Sequence, residues 1–251
     1  MAGHSKWAGI KHKKAIVDAQ RGKAFTKVVR EITVAAKHGG GSPDGNPRLR
    51  LAISKAREVN LPKDKIEQAI KKGTGELPGV AYEEMVLEGY GPGGVAILVQ
   101  ALTDNKNRTT AELRSIFTKH GGNVAGAGSV SWLFHKKGSI TVSSKLVDED
   151  RLMNLVIEAG ADDMTRDGDL YAIATEPQHF EAVKQALTAA TIAWESADLT
   201  LIASSSVRVD HPSQGKQLLT LLDQLEDHDD VQHVYANFDM PDSILAEHAA
   251  A

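Results

Sequence analysis

The order of short apolar runs between residues 139 and 203 restricts the fold more than any other feature of the sequence. Alternating strand-type and helix-type patterns predict, in order, strand 139–143, helix 149–159, strand 162–166, strand 170–175, helix 178–190 and strand 193–203. This β-α-β-β-α-β order is that of a ferredoxin-like unit. The segment is therefore expected to form one α/β domain with an antiparallel sheet.

The segments on either side of this unit repeat the same order when they are read together. Strand 95–102, helix 108–120 and strand 130–134 precede it, and a strand near 205–209, helix 214–226 and strand 231–238 follow it. We therefore predict an α+β fold with an N-terminal three-helix bundle followed by two ferredoxin-like α/β domains, one inserted in the other. The expected limits are 1–77 for a basic helical domain, 78–135 plus 204–241 for the split domain, 136–203 for the inserted domain and 242–251 for a C-terminal tail.

The N-terminal segment carries helical patterns. Apolar residues spaced i, i+3, i+4 and i+7 predict a helix over 15–38, which the glycines at 39–41 end because they cannot hold helical backbone against their own entropy. Asn46 and Pro47 predict the start of a second helix, since asparagine caps a first turn and proline fits the first helical position. The sequence NLP at 60–62 restarts the chain, and a third helix ends at GTG, residues 73–75.

Charge is divided unevenly along the chain. Residues 1–75 contain 17 Lys and Arg against 6 Asp and Glu, a balance of +11, and the remainder contains 12 against 27, a balance of −15. These two balances make up the net charge of −4. Such asymmetry indicates a polyanion-binding segment joined to an acidic body. The alternative is that the basic helices are merely solvated or dock on the acidic body of the same chain.

The basic leader combines cations with an aromatic ring, in GHSKW at 3–7 and KHKK at 11–14. Ammonium groups neutralise phosphates, and an exposed indole stacks on an unpaired base for roughly 1–3 kcal/mol. Trp7 could instead pack on the bundle as a core residue. The third helix offers few side chains that read base edges, so we expect phosphate contact rather than base specificity. The predicted nucleic-acid-binding residues are Lys6, Trp7, Lys11, His12, Lys13, Lys14, Arg21, Lys23, Lys27 and Arg30.

The sequence contains no signature of catalysis or of a bound cofactor. It has no cysteine, which removes disulfides and thiolate metal sites. The GxGxxG pattern at 89–94 precedes an apolar strand rather than the helix of a dinucleotide site, so it predicts a hairpin turn. His228 and His233 flank two aspartates without metal-ligand spacing, which we interpret as a solvated acidic loop. We expect no enzyme activity, no cofactor, no metal and no small-molecule substrate.

Two polar or flexible connections have open interpretations. In TDNKNRTT at 103–110, Arg108 near a helix N-terminus could bind an anion, or the loop is plain and Asn107 caps the helix. The sequence GAGS at 126–129 is expected to be a flexible connection. The longest aliphatic run, VAILV at 95–99, is far shorter than the roughly 20 residues of a membrane span, so no membrane partner is expected.

Long blocks of the sequence resemble the YebC family, which includes bacterial probable transcriptional regulators and the mitochondrial translational activator of cytochrome oxidase. The blocks are MAGHSKWAGIKHKKA at 1–15, RGKAFTKVVREI at 21–32, NPRLRLAISKA at 46–56, NLPKDKIEQAIKKGTGE at 60–76, EGYGPGGVAILVQALTDNKNRT at 88–109 and GSVSWLF at 128–134. The resemblance implies a three-domain protein without catalysis or cofactor. With its first block at residue 1, it also implies a cytoplasmic bacterial form without a transit peptide.

The resemblance implies a nucleic-acid partner of one of two kinds. Members of the family are described as DNA-binding transcriptional regulators, or as ribosome-associated factors that help translation of stretches such as consecutive prolines. We therefore predict a non-enzymatic regulator of gene expression that binds DNA, the rRNA of the ribosome, or both.

Overall fold

The computed structural model describes residues 18–249. In chain order its helices and strands are α1 (Asp18–Gly39), α2 (Pro47–Glu58), α3 (Lys63–Thr74), β1 (Glu83–Tyr90), β2 (Ala96–Thr103), α4 (Lys106–Lys119), β3 (Asn123–Val124), β4 (Phe134–Ser143), α5 (Glu149–Glu158), β5 (Ala161–Asp167), β6 (Leu170–Thr175), α6 (Phe180–Ala189), β7 (Ser196–Ala203), β8 (Val207–Arg208), α7 (Pro212–Glu226), β9 (Val231–Ala236), β10 (Phe238–Asp239) and α8 (Asp242–Ala249). The combination of helices and antiparallel sheets confirms the predicted α+β class.

Helices α1, α2 and α3 form the bundle around a small apolar core that includes Ile32, Leu49 and Ile66. Asn46 caps α2 as predicted, because its side-chain oxygen accepts a hydrogen bond from the Leu49 backbone N–H at 3.1 Å. The amide of Asn46 also donates to the Ala35 carbonyl at 2.8 Å, which ties the end of α1 to the start of α2. The cap therefore joins two helices as well as starting one.

Residues 134–203 fold around the inserted sheet, in which the strand order is β5-β6-β4-β7 and every pair is antiparallel. Helices α5 and α6 bury Leu152, Val156, Val183 and Leu187 against this sheet. This is the ferredoxin-like arrangement that the alternating patterns predict, with β4 beginning earlier than expected, at Phe134.

The split sheet has the order β3-β1-β2-β9, and helices α4 and α7 pack on one of its faces through side chains such as Phe117 and Leu218. The β1–β2 hairpin turns through Gly93 and Gly94, whose φ angles of 78° and 75° favour glycine. Strand β1 lies between β2 and β3 in this sheet, and residues 205–209 lie outside it. The sheet is ferredoxin-like in order, but this strand comes from the start of the unit.

The predicted strand over 130–134 is wrong, whereas the strand predicted near 205–209 forms as β8 but pairs outside the split sheet. Residues 131–133 form a 3₁₀ turn instead of the middle of a strand over 130–134. The short β8 pairs in parallel with β10, outside the split sheet. The pattern alone could not distinguish these outcomes, because short apolar runs fit a strand and a tightly packed turn equally well.

The face of the split sheet away from α4 and α7, called here the outer face, meets the inserted domain. Ala96, Leu98 and Tyr235 on this face pack with the 130–134 segment and with β7. On β1 the even-numbered residues share the outer face, because the odd-numbered Leu87 is buried in the core beneath the helices. The outer face therefore lies between the bundle, which contacts one end of β1, and the inserted domain.

The predicted flexible connection at 126–129 is instead held in place. The carboxylate of Glu88, only 6% exposed, accepts backbone hydrogen bonds from Gly128 at 2.8 Å, Val130 at 2.6 Å and Ser131 at 2.9 Å. Burial by itself raises the pKa of Glu88, but these backbone donors bring the pKa below its ordinary value. Residues 125–131 are called here the Glu88 loop.

Candidate nucleic-acid interface

Three of the predicted phosphate-binding cations lie on one face of α1, where the spacing i, i+4 and i+7 aligns Lys23, Lys27 and Arg30. In the structure this face contacts the segment 226–230 of the same chain. The Lys27 ammonium donates to the Glu226 carbonyl at 2.6 Å, and Lys23 donates to the Asp227 carbonyl at 3.3 Å.

These carbonyls belong to the C-terminal end of α7, where unpaired backbone oxygens carry the negative end of the helix dipole. The last turn of α7 has no basic residue of its own. The lysines of α1 therefore supply the positive charge that this helix end favours. For Lys23, Lys27 and Arg30, the structure therefore agrees with the alternative in which the basic helices dock on the acidic body of the same chain.

The centre of the contact is Asp230, which is 2% exposed. One carboxylate oxygen accepts from Arg30 at 2.6 Å, and the other accepts from Arg108 at 2.8 Å and from the Thr109 hydroxyl at 2.6 Å. Burial would raise the pKa of Asp230, but the hydrogen bonds from Thr109 and Arg108 and the charge of Arg30 lower this pKa to about 2. We call Arg30, Arg108, Thr109 and Asp230 the Asp230 cluster.

The Asp230 cluster corrects two interpretations of the sequence. The 228–230 segment is not a solvated loop, since it joins the bundle to the split domain through a buried carboxylate. The cap of α4 is Asn105 rather than Asn107, because the Asn105 side chain accepts from the Arg108 N–H at 3.1 Å. Arg108 does contact an anion, and that anion is Asp230 of its own chain.

Glu112, His228 and Asp230 form a group whose ligand atoms lie close enough together to hold a metal ion. Each of these atoms already has a partner: His228 Nε2 lies 2.9 Å from Glu112, and Asp230 accepts from two guanidinium groups. The positive charge that a cation would bring is thus supplied by Arg30 and Arg108. Contacts within the chain therefore already occupy the ligand atoms of this group.

Another set of bundle cations remains accessible. Arg50, Ser54 and Arg57 follow one another at i, i+4 and i+7 along α2, where they line a cleft of about 240 Å³ with Pro43 and Ile53. Arg50 is oriented by the carbonyls of its own preceding loop, at 3.1 and 3.2 Å. The bundle residues that form no salt bridge with any described residue, called here the unpaired cations, are Lys37, Arg50, Lys55, Arg57, Lys65, Lys71 and Lys72.

Two family models match successive parts of the chain. A family model described as the TACO1/YebC protein N-terminal domain matches residues 5–76, and one described as the TACO1/YebC second and third domain matches residues 82–238. The chain belongs to the TACO1/YebC family. Within the described part of this family member, no helix combines the length and apolar character needed to cross a membrane.

Relatives of this family member match along nearly its whole length. A protein of Syntrophobacter fumaroxidans is 54% identical over 245 residues, and one of Dictyoglomus turgidum is 55% identical over 246 residues; each match covers 98% of both chains. Both are named probable transcriptional regulatory protein. The crystal structure of a conserved hypothetical protein from Aquifex aeolicus is similar at 48% identity and a TM-score of 0.77, covering 90% of this chain and 93% of that one.

The structure brings together only part of the predicted site in this YebC-family chain. Lys23, Lys27 and Arg30 share one face, as expected from their spacing, and contact 226–230. The accessible row on α2 was absent from the predicted site, although its i, i+4, i+7 spacing is legible in the sequence. Predicted residues outside the described part of the chain are Lys6, Trp7, Lys11, His12, Lys13 and Lys14, together with the side chain of Arg21.

Proposed function

We propose that this protein is a non-enzymatic regulator of gene expression that binds DNA through the bundle and its basic leader. The observation that carries the proposal is the set of unpaired cations on α1, α2 and α3. Exposed cations without acidic partners retain their full charge for a polyanion, whereas paired cations must first lose a partner. The names of the Syntrophobacter and Dictyoglomus relatives support a regulatory role.

The row on α2 is the most specific part of this proposed interface. Arginine presents several N–H donors in a planar fork that fits a phosphate group, and Arg50 is held by backbone carbonyls. The Ser54 hydroxyl can donate to a phosphate oxygen between the two guanidinium groups. This chemistry fixes a nucleic-acid backbone without reading the order of its bases.

The proposal is tested by neutralising the three unpaired cations of α2 in the full chain. In the triple variant Arg50→Gln, Lys55→Gln and Arg57→Gln, the affinity for duplex DNA should fall. The slope of log affinity against log salt should flatten by up to about 2.7, since each lost phosphate contact removes about 0.9. A matched control replaces three exposed cations of the body that form no salt bridge with a described residue: Arg114, Lys119 and Lys216, each by glutamine.

The leader is tested in the same assay with Lys6, Lys11, Lys13 and Lys14 replaced by glutamine. Weaker binding of both bundle and leader variants, with the control unchanged, supports the proposed interface. Equal losses in the control variant would indicate a response to total charge only. Salt-independent binding by the unmodified chain would refute the electrostatic mechanism.

A second function, association with the ribosome as a translation factor, is favoured by the scarcity of base-reading groups on the bundle. The unpaired cations are lysines and arginines that suit phosphates of any folded nucleic acid, and α3 adds only Gln68 as an exposed amide. Competition between duplex DNA and purified ribosomes for the same labelled protein distinguishes the two functions. Preferential retention on ribosomes, lost in the bundle variant, would assign the interface to rRNA.

A further inference from the structure

An exposed tryptophan, Trp132, directly follows the Glu88 loop. Trp132 is 66% exposed, the most exposed of the large apolar side chains in the described part of the protein. Its indole N–H donates to the Ser129 carbonyl at 3.1 Å. This hydrogen bond fixes the ring on its own loop while much of the ring surface remains accessible.

The loop beneath this ring is built around a buried charge. Besides the three N–H groups that donate to the Glu88 carboxylate, the Ala125 N–H donates to the Glu88 carbonyl at 2.8 Å, and the Tyr90 hydroxyl donates to Ser129 at 3.2 Å. A buried carboxylate is costly unless its hydrogen bonds are satisfied. Because the Glu88 carboxylate accepts these hydrogen bonds, it holds the backbone that carries the Trp132 ring in place. A ring held in this way can bind a partner with little loss of conformational freedom.

An uncovered strip of sheet lies beside this loop. Val86, Gln100 and His233 are paired across β1, β2 and β9 on the outer face, and all three have solvent access; Val86 is 56% exposed. Val86 lies two residues from Glu88 on the same face, about 7 Å along the strand. At the other end, Glu84 of the same face pairs with Arg48 of the bundle. The strip therefore lies between the bundle contact at Glu84 and the Glu88 loop, and this exposed region is called here the cleft.

The chemistry of this cleft suits bases rather than phosphates. Although part of the His233 side chain is exposed, packing around its ring and the nearby charge of Lys55 lower its pKa to about 4. The imidazole is therefore neutral near pH 7 and can exchange hydrogen bonds with a base edge. Its ring also stacks on Tyr235, with centroids 5.9 Å apart. A cation for a phosphate lies close by: exposed Lys136 is within about 14 Å of Trp132 along the chain.

We propose that the cleft receives a single-stranded segment of nucleic acid, with one unpaired base stacked on Trp132 and the strand continuing over Val86, Gln100 and His233 toward the bundle. Aromatic rings on a sheet surface and beside it bind unpaired bases in this way, because every base has a stacking face. The inference rests on the proposed nucleic-acid binding and adds the form of the ligand: the bundle holds phosphates, while Trp132 holds a base.

The test uses the full chain, a short fluorescent uridine oligomer and an abasic oligomer of the same length, which retains the phosphates without the bases. Trp132→Ala should weaken binding of the uridine oligomer by about 5- to 150-fold and leave binding of the abasic oligomer nearly unchanged. Trp132→Phe should retain part of the affinity, since a smaller ring still stacks. The matched control is Leu146→Ala, which removes another exposed apolar side chain, 57% exposed, on the inserted domain.

Each outcome decides the inference. A loss confined to the base-containing oligomer supports it, and crosslinking of 4-thiouridine to Trp132 or to β1 would place the strand in the cleft. Equal losses for both oligomers in Trp132→Ala, or no loss in either Trp132 variant, would overturn it while leaving the bundle's phosphate binding intact. If the unmodified chain binds DNA duplexes but neither oligomer, the inference fails and the proposed function stands. If it binds no nucleic acid, both fail.

Discussion

Replacing Asp230 with asparagine should loosen the contact between the bundle and the split domain. The carboxylate is 2% exposed and accepts from two guanidinium groups and one hydroxyl. Asparagine keeps the shape of the side chain but removes the negative charge, and its amide donors face other donors. Arg30 is then left without its buried partner, which is the costly way to break such a pair.

The lowered pKa of the Asp230 carboxylate gives the smaller of two figures for the free energy that Asp230→Asn should lose. The fall of its pKa from 3.8 to about 2 corresponds to about 2 kcal/mol of preference for the charged form in the folded state. Removing one member of a buried pair costs about 3–5 kcal/mol in general. The free energy for separating the bundle from the body should therefore fall by about 2–5 kcal/mol in Asp230→Asn. The lower figure corresponds to a roughly 30-fold larger open population.

The assay is hydrogen exchange of peptides from α1 and from 226–231, because local separation need not unfold all three units together. The matched control is Asp229→Asn, which removes the same charge from an exposed neighbour whose side chain has no described partner. Exchange should accelerate in both segments of Asp230→Asn and stay unchanged in the control. Equal exchange in the two variants would refute the view that the buried carboxylate holds the contact.

The lowered pKa of Asp230 also determines how the stability of the contact between the bundle and the body depends on pH. Since the pKa is depressed in the folded state, the stabilisation is complete above about pH 4, near the unfolded pKa of 3.8, and is lost as the pH falls toward about 2. The protection factors of wild-type α1 amides, which correct for the intrinsic pH dependence of exchange, should therefore fall over this acid range. Asp230→Asn should lack this component of the acid response.

Further predictions concern the structural supports of the proposed interfaces. Glu88→Gln should accelerate amide exchange at Gly128 and Ser131, with a loss of about 2–3 kcal/mol of local stability, because one of its atoms becomes a donor facing backbone N–H groups; unchanged exchange would contradict this role. Asn46→Ala should lower the urea midpoint of the bundle by the equivalent of about 2–4 kcal/mol, since both the cap and the link to α1 are lost. Gly89→Ala should lower the melting temperature of the split domain, because the added Cβ would lie 2.7 Å from the Phe117 ring and 2.6 Å from a backbone oxygen; a melt like that of the unmodified chain would mean that the sheet shifts without cost.

The fold was predictable where its signals are local. The spacing of apolar residues, the Asn46 cap and the glycine turn at 93–94 act over a few residues, so the sequence pattern and the structure agree on them. The inserted unit was also predictable, because each of its strands is separated from the next by a short turn or one helix. Its order along the chain leaves few alternative topologies.

The split sheet was less predictable because its partners are far apart in sequence. Whether β1 or residues 205–209 lie beside β2 depends on which segment can bury its apolar face there, and both have suitable patterns. The Glu88 loop shows the same limit. Its glycines indicate freedom locally, but a carboxylate some forty residues earlier in the chain removes that freedom.

The sequence by itself determined that the chain has a basic helical start, an acidic α/β body and no cysteine, because these are properties of composition and local pattern. Only the tertiary structure decided which cations are accessible. Lys27 and Arg30 look in the sequence like Arg50 and Arg57, yet the first two meet carbonyls and a carboxylate of α7 and the segment after it, while the latter two line an open cleft. The availability of a charge depends on what the fold places within a few ångströms of it, since electrostatic attraction is strongest at contact and weakens with distance and screening.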